Sequence, residues 1–465
     1  PGCARLCAEW IVNGKTQMDI HSFDISRFYP EQKEKGFVKS RSYENAQTVY
    51  TPAVHPREPY ISQRELFVSP FFEREKELGG HFNNEVGGWE RALAYEFNRS
   101  ALDDFLSKVP TRENEWDRRH VPYEIANAEH LAMSEKAGMI NLSHFAIFDI
   151  EGPDAERLLE HLSVAKIGGD TPNGKMIYTN FLNEDGGVHA DLTISRLELK
   201  KYRVVTGGAD GNRDWVAIRN HRDDLGLNAE ISIRTHDVVT LGLWGPKAME
   251  ALGNFVDPNE ITIQSFPFVT SKPLKLNLKD GKKIDVWAAR ISYVGESGWE
   301  IYLNNDSHDG LALFDSLQAV GVVPVGIETY ANSRRMEKSF RLQGAELETE
   351  YNACESAVER LKVKQEEFVG KAAHLQHRQE EPSAILCTMT LDLPSSGSYS
   401  RYPVGVLPII DPDTQTVPID SKGRRTYGTS TSYCPSIRKQ VVMGYLPRDI
   451  AYQGKTLLLE YFNHN

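Results

Sequence analysis

The tightest constraint on this chain lies in ten residues, "GGVHADLTIS", at positions 186 to 195. Two glycines mark a turn, and the side chains then alternate without a break. Val188, Ala190, Leu192 and Ile194 fall on one side, and His189, Asp191, Thr193 and Ser195 on the other. A period of two fits a strand with one face buried and the other polar. A second run, "DVWAARISYVGESGWEIYL" at 285 to 303, behaves alike. Trp287, Ala289, Ile291 and Tyr293 alternate with Val286, Ala288, Arg290 and Ser292; "GESG" predicts a turn; Trp299, Ile301 and Leu303 then alternate with Glu300 and Tyr302. The run predicts a hairpin with Tyr293 and Glu300 near its closed end. Hairpin turns recur along the chain more often than long crossovers, which predicts an α+β fold with antiparallel strands.

A chain of 465 residues exceeds one ordinary core, so two or three domains are expected. Residues 1 to about 80 are aromatic and charged with poor periodicity, as in short helical pieces joined by loops. Residues 121 to 162 predict helix, strand, turn and helix, with Pro153 at the first helical position, where its missing N–H costs nothing. A hairpin unit is predicted at 175 to 207 and a helix near 212 to 224. "ANSRRMEKSFRLQGAELE" predicts a helix whose cations at 334, 335, 338 and 341 form a solvated basic face. After about 380, short strands between Gly, Pro and Ser turns, as in "YPVGVLPIIDPDTQTVPID", predict a small all-β module.

Bulk properties narrow the function classes. A net charge of −12 argues against a sequence-independent phosphate-binding surface, so no nucleic-acid partner is expected. No apolar run is long enough to cross a bilayer, and no membrane association is expected. The five cysteines are odd in number and lack CxxC spacing, which predicts neither a disulfide framework nor a structural metal site. A reducing compartment follows: the cytoplasm, or the mitochondrial matrix in a eukaryote. No GxGxxG opens a strand–turn–helix unit, so neither FAD nor NAD is expected on this chain.

Several longer stretches, in order, resemble the aminomethyltransferase (glycine-cleavage T-protein) superfamily. "GHFNNEVGGWER" looks like that family's entry segment, and "NLSHFAIFDIEGPDAERLLEHL" like its "DLSxF…GPDA" segment. "GKMIYTNFLNEDGGVHADLTISRL" resembles "GRxxYTxxLNxxGGIxxDLTVxRL", and "RISYVGESGWEIYL" resembles "RxxYVGExGWExY". "NSRRMEKSFRLQGAELE", "VKQEEFVGKAAHL" and "VMGYLP" resemble three further motifs in family order. The resemblance is strongest to the folate-binding half of dimethylglycine and sarcosine dehydrogenases. "CAEWIVNGKTQMDIHSFDISRF" and "REPYISQRELFVSPFFERE" resemble the tail of their flavin oxidase domain and the linker after it. Pro1 is consistent with a chain holding the one-carbon-accepting half alone and with a piece of a longer protein.

The resemblance implies a three-lobed fold. Residues 1–80 would be an adaptor on the outside, 81–380 two folate-binding lobes around a central pocket, and 381–465 a small C-terminal β-barrel domain. It implies an enzyme, a tetrahydrofolate-dependent methyltransferase or demethylase acting on a small methylated donor: an N-methyl amine, a betaine or an O-methyl compound. The alternatives are a folate-binding part of a flavin-dependent dehydrogenase, with a flavoprotein partner, and a non-catalytic regulatory homologue. Glu300 matches the glutamate that takes the pterin edge, where one carboxylate accepts two directional bonds. Asp191 matches the aspartate near N5 and N10 of the folate, and Tyr178 and Tyr293 match aromatic positions lining the pocket. Tyr293 is also a candidate catalytic group. Trp299, in the same motif, is a candidate cofactor contact. Val205, Thr206 and Gly207 match a strand end where backbone passes close to the pterin, Gly207 being needed for that approach. His189, His144 and Tyr293 are candidate general acids for an ether donor. Three departures stand out: Ala331 replaces an arginine of the T-protein and with it any ion pair made there, in agreement with the dehydrogenase branch, while Asn141 for the family's aspartate and "GWERALAYE" for its "GWERPxWF" lie where the donor would be read.

Overall fold

The computed structural model describes residues 2–16, 18–20, 23–49, 57–110, 121–279, 281–305, 308–358, 363–392, 403 and 405–460. The expected structure at His21, Ser22, Tyr402 and Val404 therefore lies outside the described residues. Three large sheets carry the fold.

The first sheet has five antiparallel strands in the order Met176–Leu182, Val188–Glu198, Lys201–Thr206, Ala146–Glu151 and Glu230–Ile233. The alternation read at 188–195 is the alternation observed. Val188, Ala190, Leu192 and Ile194 are buried. Ala190, Leu192 and Ile194 pack with Phe148 and Ile150 beneath Leu158 and Leu159 of helix Ala155–Leu162 and Ile218 of helix Gly211–Asp224. Each such Leu or Ile contributes about 1.5–3 kcal/mol by leaving water. The turn before the strand needs its glycines for different reasons. Gly186 has φ +79°, and a Cβ on Gly187 would stand 2.1 Å from the Thr349 carbonyl oxygen. Pro153 precedes the next helix without opening it. Asp154 is the N-cap, and its carboxylate accepts the Asn228 N–H at 2.8 Å, which ties the cap to a neighbouring loop.

The second sheet has six strands, ordered Thr270–Asn277, Lys283–Arg290, Gly298–Asn304, Val238–Trp244, Gly138–Asn141 and Val323–Pro324. Its pairs are antiparallel except the last, where Val323 runs parallel beside Gly138. The predicted hairpin exists, with Ala289 opposite Glu300 and Trp287 opposite Tyr302. Its closed end is wider than a tight turn. The strand stops at Arg290, and residues 291–297 form a loop holding Tyr293. Partners outside the hairpin hold that loop open: the Trp244 indole N–H donates to the Ile291 carbonyl at 2.8 Å, and Arg334 pairs with Glu296.

The third sheet is antiparallel, in the order Ala384–Leu391, Lys439–Pro447, Tyr427–Cys434, Leu407–Ile410 and Leu458–Leu459, curled into a half-barrel. The predicted basic helix is shorter than expected and its arginines are not a solvated face. A turn of π-helix over Thr329–Arg334 runs into the short helix Arg335–Glu337, and both arginines are fully buried. Arg335 donates to Glu346 at 2.8 Å and to Ser430 of the third sheet at 2.7 Å. Arg334 reaches Glu296, and also Ser134 at 2.6 Å. Local spacing cannot show this, because the carboxylates arrive from elsewhere in the chain.

Within the first 80 residues, helices Gly2–Asn13 and Lys35–Val49 flank a segment bound by polar contacts. The Tyr29 hydroxyl donates to the Gly208 carbonyl at 3.1 Å. The Asn212 amide donates to the Phe28 carbonyl at 2.8 Å, and Asp19 accepts from the Thr349 N–H at 2.8 Å. No helix among the described residues is long and apolar enough to cross a membrane.

Candidate active site

Across the first sheet, Asp191 pairs with Asn180, Thr193 with Tyr178, and Thr193 again with Val205 on its other side. Directly opposed residues share a face, so Tyr178, Asn180, Asp191 and Val205 stand together. The Asn180 side-chain N–H donates to the Asp191 carboxylate at 2.9 Å. The Tyr178 hydroxyl donates to it as well, and burial pushes the carboxyl up to about 7 against the pull of both bonds. Asp214, itself pushed up to about 6 by burial, raises Asp191 further, while the Arg341 guanidinium lowers it. Asp191 is half-buried, with its carboxylate held by Asn180 and Tyr178.

Glu300 occupies the corresponding place on the second sheet. It is buried, accepts the Tyr302 hydroxyl, and is pushed up to about 7 by desolvation. Tyr302 and Ala289 pack against Val205 and Ile147 of the first sheet, so the two polar faces meet along one apolar seam. Aromatic rings continue the wall. The Tyr293 and Tyr330 centroids are 5.3 Å apart, Tyr330 lies 5.6 Å from Trp244, and Tyr293 stacks on Phe340 at 5.9 Å. Tyr330 feels the charge of Glu300 and the Tyr293 phenol, and Tyr293 feels the charge of Asp191. The wall thus runs from one carboxylate to the other.

Several expected residues stand elsewhere or in other roles. Trp299 is on the far face of its strand from Glu300, because neighbours alternate; it is buried in the core beside Phe266 and under Arg290. Thr206 is likewise on the inner face of its strand, donating to Asp214 at 2.7 Å. The tightest protein packing at this strand end is at Gly208, next to the expected cofactor contact Gly207. A Cβ on Gly208 would stand 1.9 Å from the His144 carbonyl oxygen, whereas one on Gly207 meets only the Asp210 carboxylate at 3.3 Å. The Tyr293 hydroxyl donates to the Arg341 carbonyl, so its proton is committed to shaping the loop. His144 is held neutral, since burial pushes its imidazole well below the usual range. His189 stands 4.0 Å from Asp214. Asn141 points away from the pocket, donating to Ser69 at 2.7 Å and to Glu75 at 3.1 Å. Ala331 contributes its carbonyl, which accepts from Arg335 at 2.8 Å.

Four residues join the site that the sequence did not single out. Asn180 and Tyr302 were within reach of the alternation rule, lying two residues from Tyr178 and Glu300 on the same strands. Tyr330 comes from the π-helical turn Thr329–Arg334, and Arg341, read from the sequence only as part of a basic face, from the segment after helix Arg335–Glu337.

The chain was compared with known proteins. The model of the GCVT N-terminal domain matches residues 71–365, and that of the FAD dependent oxidoreductase central domain matches residues 13–69. The mitochondrial dimethylglycine dehydrogenase of Homo sapiens is 27% identical over all of this chain and 50% of its own length. The 4-methylaminobutanoate oxidase (formaldehyde-forming) of Paenarthrobacter nicotinovorans is 29% identical over 75% of this chain and 40% of its own. The chain thus spans about half the length of these relatives or less. The crystal structure of the glycine cleavage system aminomethyltransferase T from Bartonella henselae superposes with a TM-score of 0.66 at 21% identity, covering 85% of this chain and 94% of that one, and shows the fold.

Proposed function

The chain belongs to the GCVT aminomethyltransferase family, and from that premise we propose that it moves a one-carbon unit from a small methylated donor to tetrahydrofolate held between Glu300 and Asp191. The observation that carries this reading is a pair of carboxylates, Glu300 buried and Asp191 half-buried, each pushed up to about 7 by desolvation, on two sheets and joined by the Tyr293–Tyr330 wall. Buried carboxylates cost stability unless a ligand or a proton compensates them, and such groups concentrate where chemistry is done.

The residues present fit a reduced pterin. Glu300 uses Oε2 for Tyr302, and Oε1 takes no partner among the described residues, leaving it to accept the ring N–H or amino group. Tyr330 and Tyr293 offer flat apolar surface beside it, with Trp244 packed behind Tyr330. When bound, the folate supplies the secondary amine that accepts the carbon. Asp191 then holds or takes up the proton at that nitrogen, with Asn180 and Tyr178 fixing its orientation. Tyr293 acts through the loop it pins, not as an acid. Tetrahydrofolate titration followed by tryptophan fluorescence, with product analysis for N-methyl, S-methyl and O-methyl donors, tests the reading. Absence of saturable tetrahydrofolate binding would refute it.

A second observation favours a coupled form of the same reading. The match to a flavin oxidoreductase central domain at 13–69 supports arrival of the carbon already oxidised, from a flavin-bearing domain or partner. Production of methylene-tetrahydrofolate only when such a flavoprotein is added would establish the coupling; methyl-tetrahydrofolate from this chain alone would exclude it.

A further inference from the structure

Arg341 lies at the reacting end of the site and has no role in the scheme above. Its position is set twice over. The backbone carbonyl is held by the Tyr293 hydroxyl, and the side chain is pinned by two carbonyls: Nε donates to Ser356 at 2.9 Å and Nη1 to Ser339 at 2.8 Å. Ser339 itself adopts φ +58°, so the loop is bent to present its carbonyl there. Phe340, the preceding residue, stacks on Tyr293 and so ties the loop to the aromatic wall. Among the described residues Nη2 takes no partner. The guanidinium acts on both Asp191 and Tyr293 electrostatically, yet no ion pair joins it to Asp191 among the described residues. A held cation thus lies within electrostatic reach of a held carboxylate without an ion pair between them among the described residues.

A guanidinium whose Nε and Nη1 are already held loses little freedom when it binds an anion, and its planar fork suits a carboxylate. Arg335, only a short way along the chain, shows the contrast. It spends its donors on Glu346, Ser430 and the Phe340 carbonyl inside the core, and has nothing left to offer. We propose that Arg341 is a ligand-positioning residue that receives a carboxylate group across from Asp191. The inference rests on the folate reading for the identity of its neighbour, and two ligands would supply that chemistry there: the glutamate tail of the folate, or an acidic group on the one-carbon donor.

Two matched pairs of probes separate these sources on the full-length chain. Tetrahydrofolate is compared with 6-methyltetrahydropterin, which keeps the ring and lacks the tail. N,N-dimethylglycine is compared with trimethylamine, which keeps the methylated nitrogen and lacks the carboxylate. The wild-type chain is expected to prefer the acidic member of at least one pair by about tenfold or more, and Arg341→Gln to abolish that preference while leaving its partner probe unchanged. Loss confined to the first pair assigns the folate tail, and loss confined to the second assigns the donor. Arg341→Lys, which keeps the charge but not the fork, is expected to recover only part of the preference. No preference in the wild type, or one that survives in Arg341→Gln, overturns the proposal. So does an equal fall for all four probes, which would make Arg341 a structural residue. A wild type that binds neither pterin refutes the folate reading instead, and the amine pair still decides whether Arg341 receives a carboxylate.

Discussion

Asn180 stands directly across the ladder from Asp191 and donates its side-chain N–H to the Asp191 carboxylate at 2.9 Å. The bond fixes one oxygen of a carboxyl that burial has raised to about 7, so the group is oriented yet close to giving or taking a proton at neutral pH. A carboxylate with those two properties suits acid–base work better than a solvated one, whose affinity for a proton is too low.

Asp191→Asn is expected to fold normally, because the Asn oxygen can still accept from Asn180. Folate binding should be largely kept while turnover falls by roughly 10²–10⁴. Steady-state rates and folate titration on the same preparation check this. Equal loss of binding and turnover would make Asp191 a positioning group.

Glu300→Gln keeps the size of the side chain but gives up its charge and one acceptor. A charge-assisted bond is worth about 1.5–3 kcal/mol, so tetrahydrofolate should bind about tenfold more weakly or worse. An unchanged dissociation constant would show that the pterin does not reach Glu300.

Asp191 and Glu300 also set a pH dependence. Both are raised from the ordinary carboxyl range to about 7, so the folded state holds protons that the unfolded state has released. Their contribution to stability is therefore full below the unfolded value, about 4, and is lost as pH rises through 7. Thermal melts across that window should show a falling midpoint, and Glu300→Gln, which cannot ionise there, should flatten the fall. Pterin affinity should move oppositely, weakening below about pH 7 as Glu300 takes a proton.

Gly208 and Gly207 should differ sharply. Alanine at 208 would press a methyl to 1.9 Å from the His144 carbonyl oxygen, and such overpacking typically costs about 1–3 kcal/mol or more. Alanine at 207 meets only a flexible carboxylate at 3.3 Å and should leave the melting midpoint nearly unchanged. Denaturant melts of the two variants would show equal losses if the strand end were packed otherwise.

Asn141→Asp would restore the residue expected from the family resemblance and should nevertheless destabilise this chain. The new carboxylate would face Glu75, now 3.1 Å from the Asn141 amide and fully buried. Two carboxyls this close cannot both ionise without mutual repulsion, so a lower melting midpoint is expected. Adding Glu75→Gln should recover most of the loss; if it does not, the two positions are independent.

The sequence by itself determined the parts that depend on local period and turn chemistry. Alternation at 188–195 named the buried face of that strand and put Asp191 on the other, since a pleated backbone sends neighbours to opposite sides whatever packs against them. The same rule paired Glu300 with Tyr302 and, applied to Trp299, would have sent that ring into the core. Tertiary structure decided everything that needed a partner from far along the chain. Arg334 and Arg335 read as a solvated face until Glu296, Glu346 and Ser430 arrive to bury them. Tyr293 read as a pocket-lining residue and candidate acid; that its hydroxyl donates to the Arg341 carbonyl needs the folded chain. Asp191 gained its partners only from other segments: Asn180 and Tyr178 on the neighbouring strand, and the charges of Asp214 and Arg341. Periodicity encodes which side of an element is apolar; which charges meet there depends on chain contacts that no local pattern records.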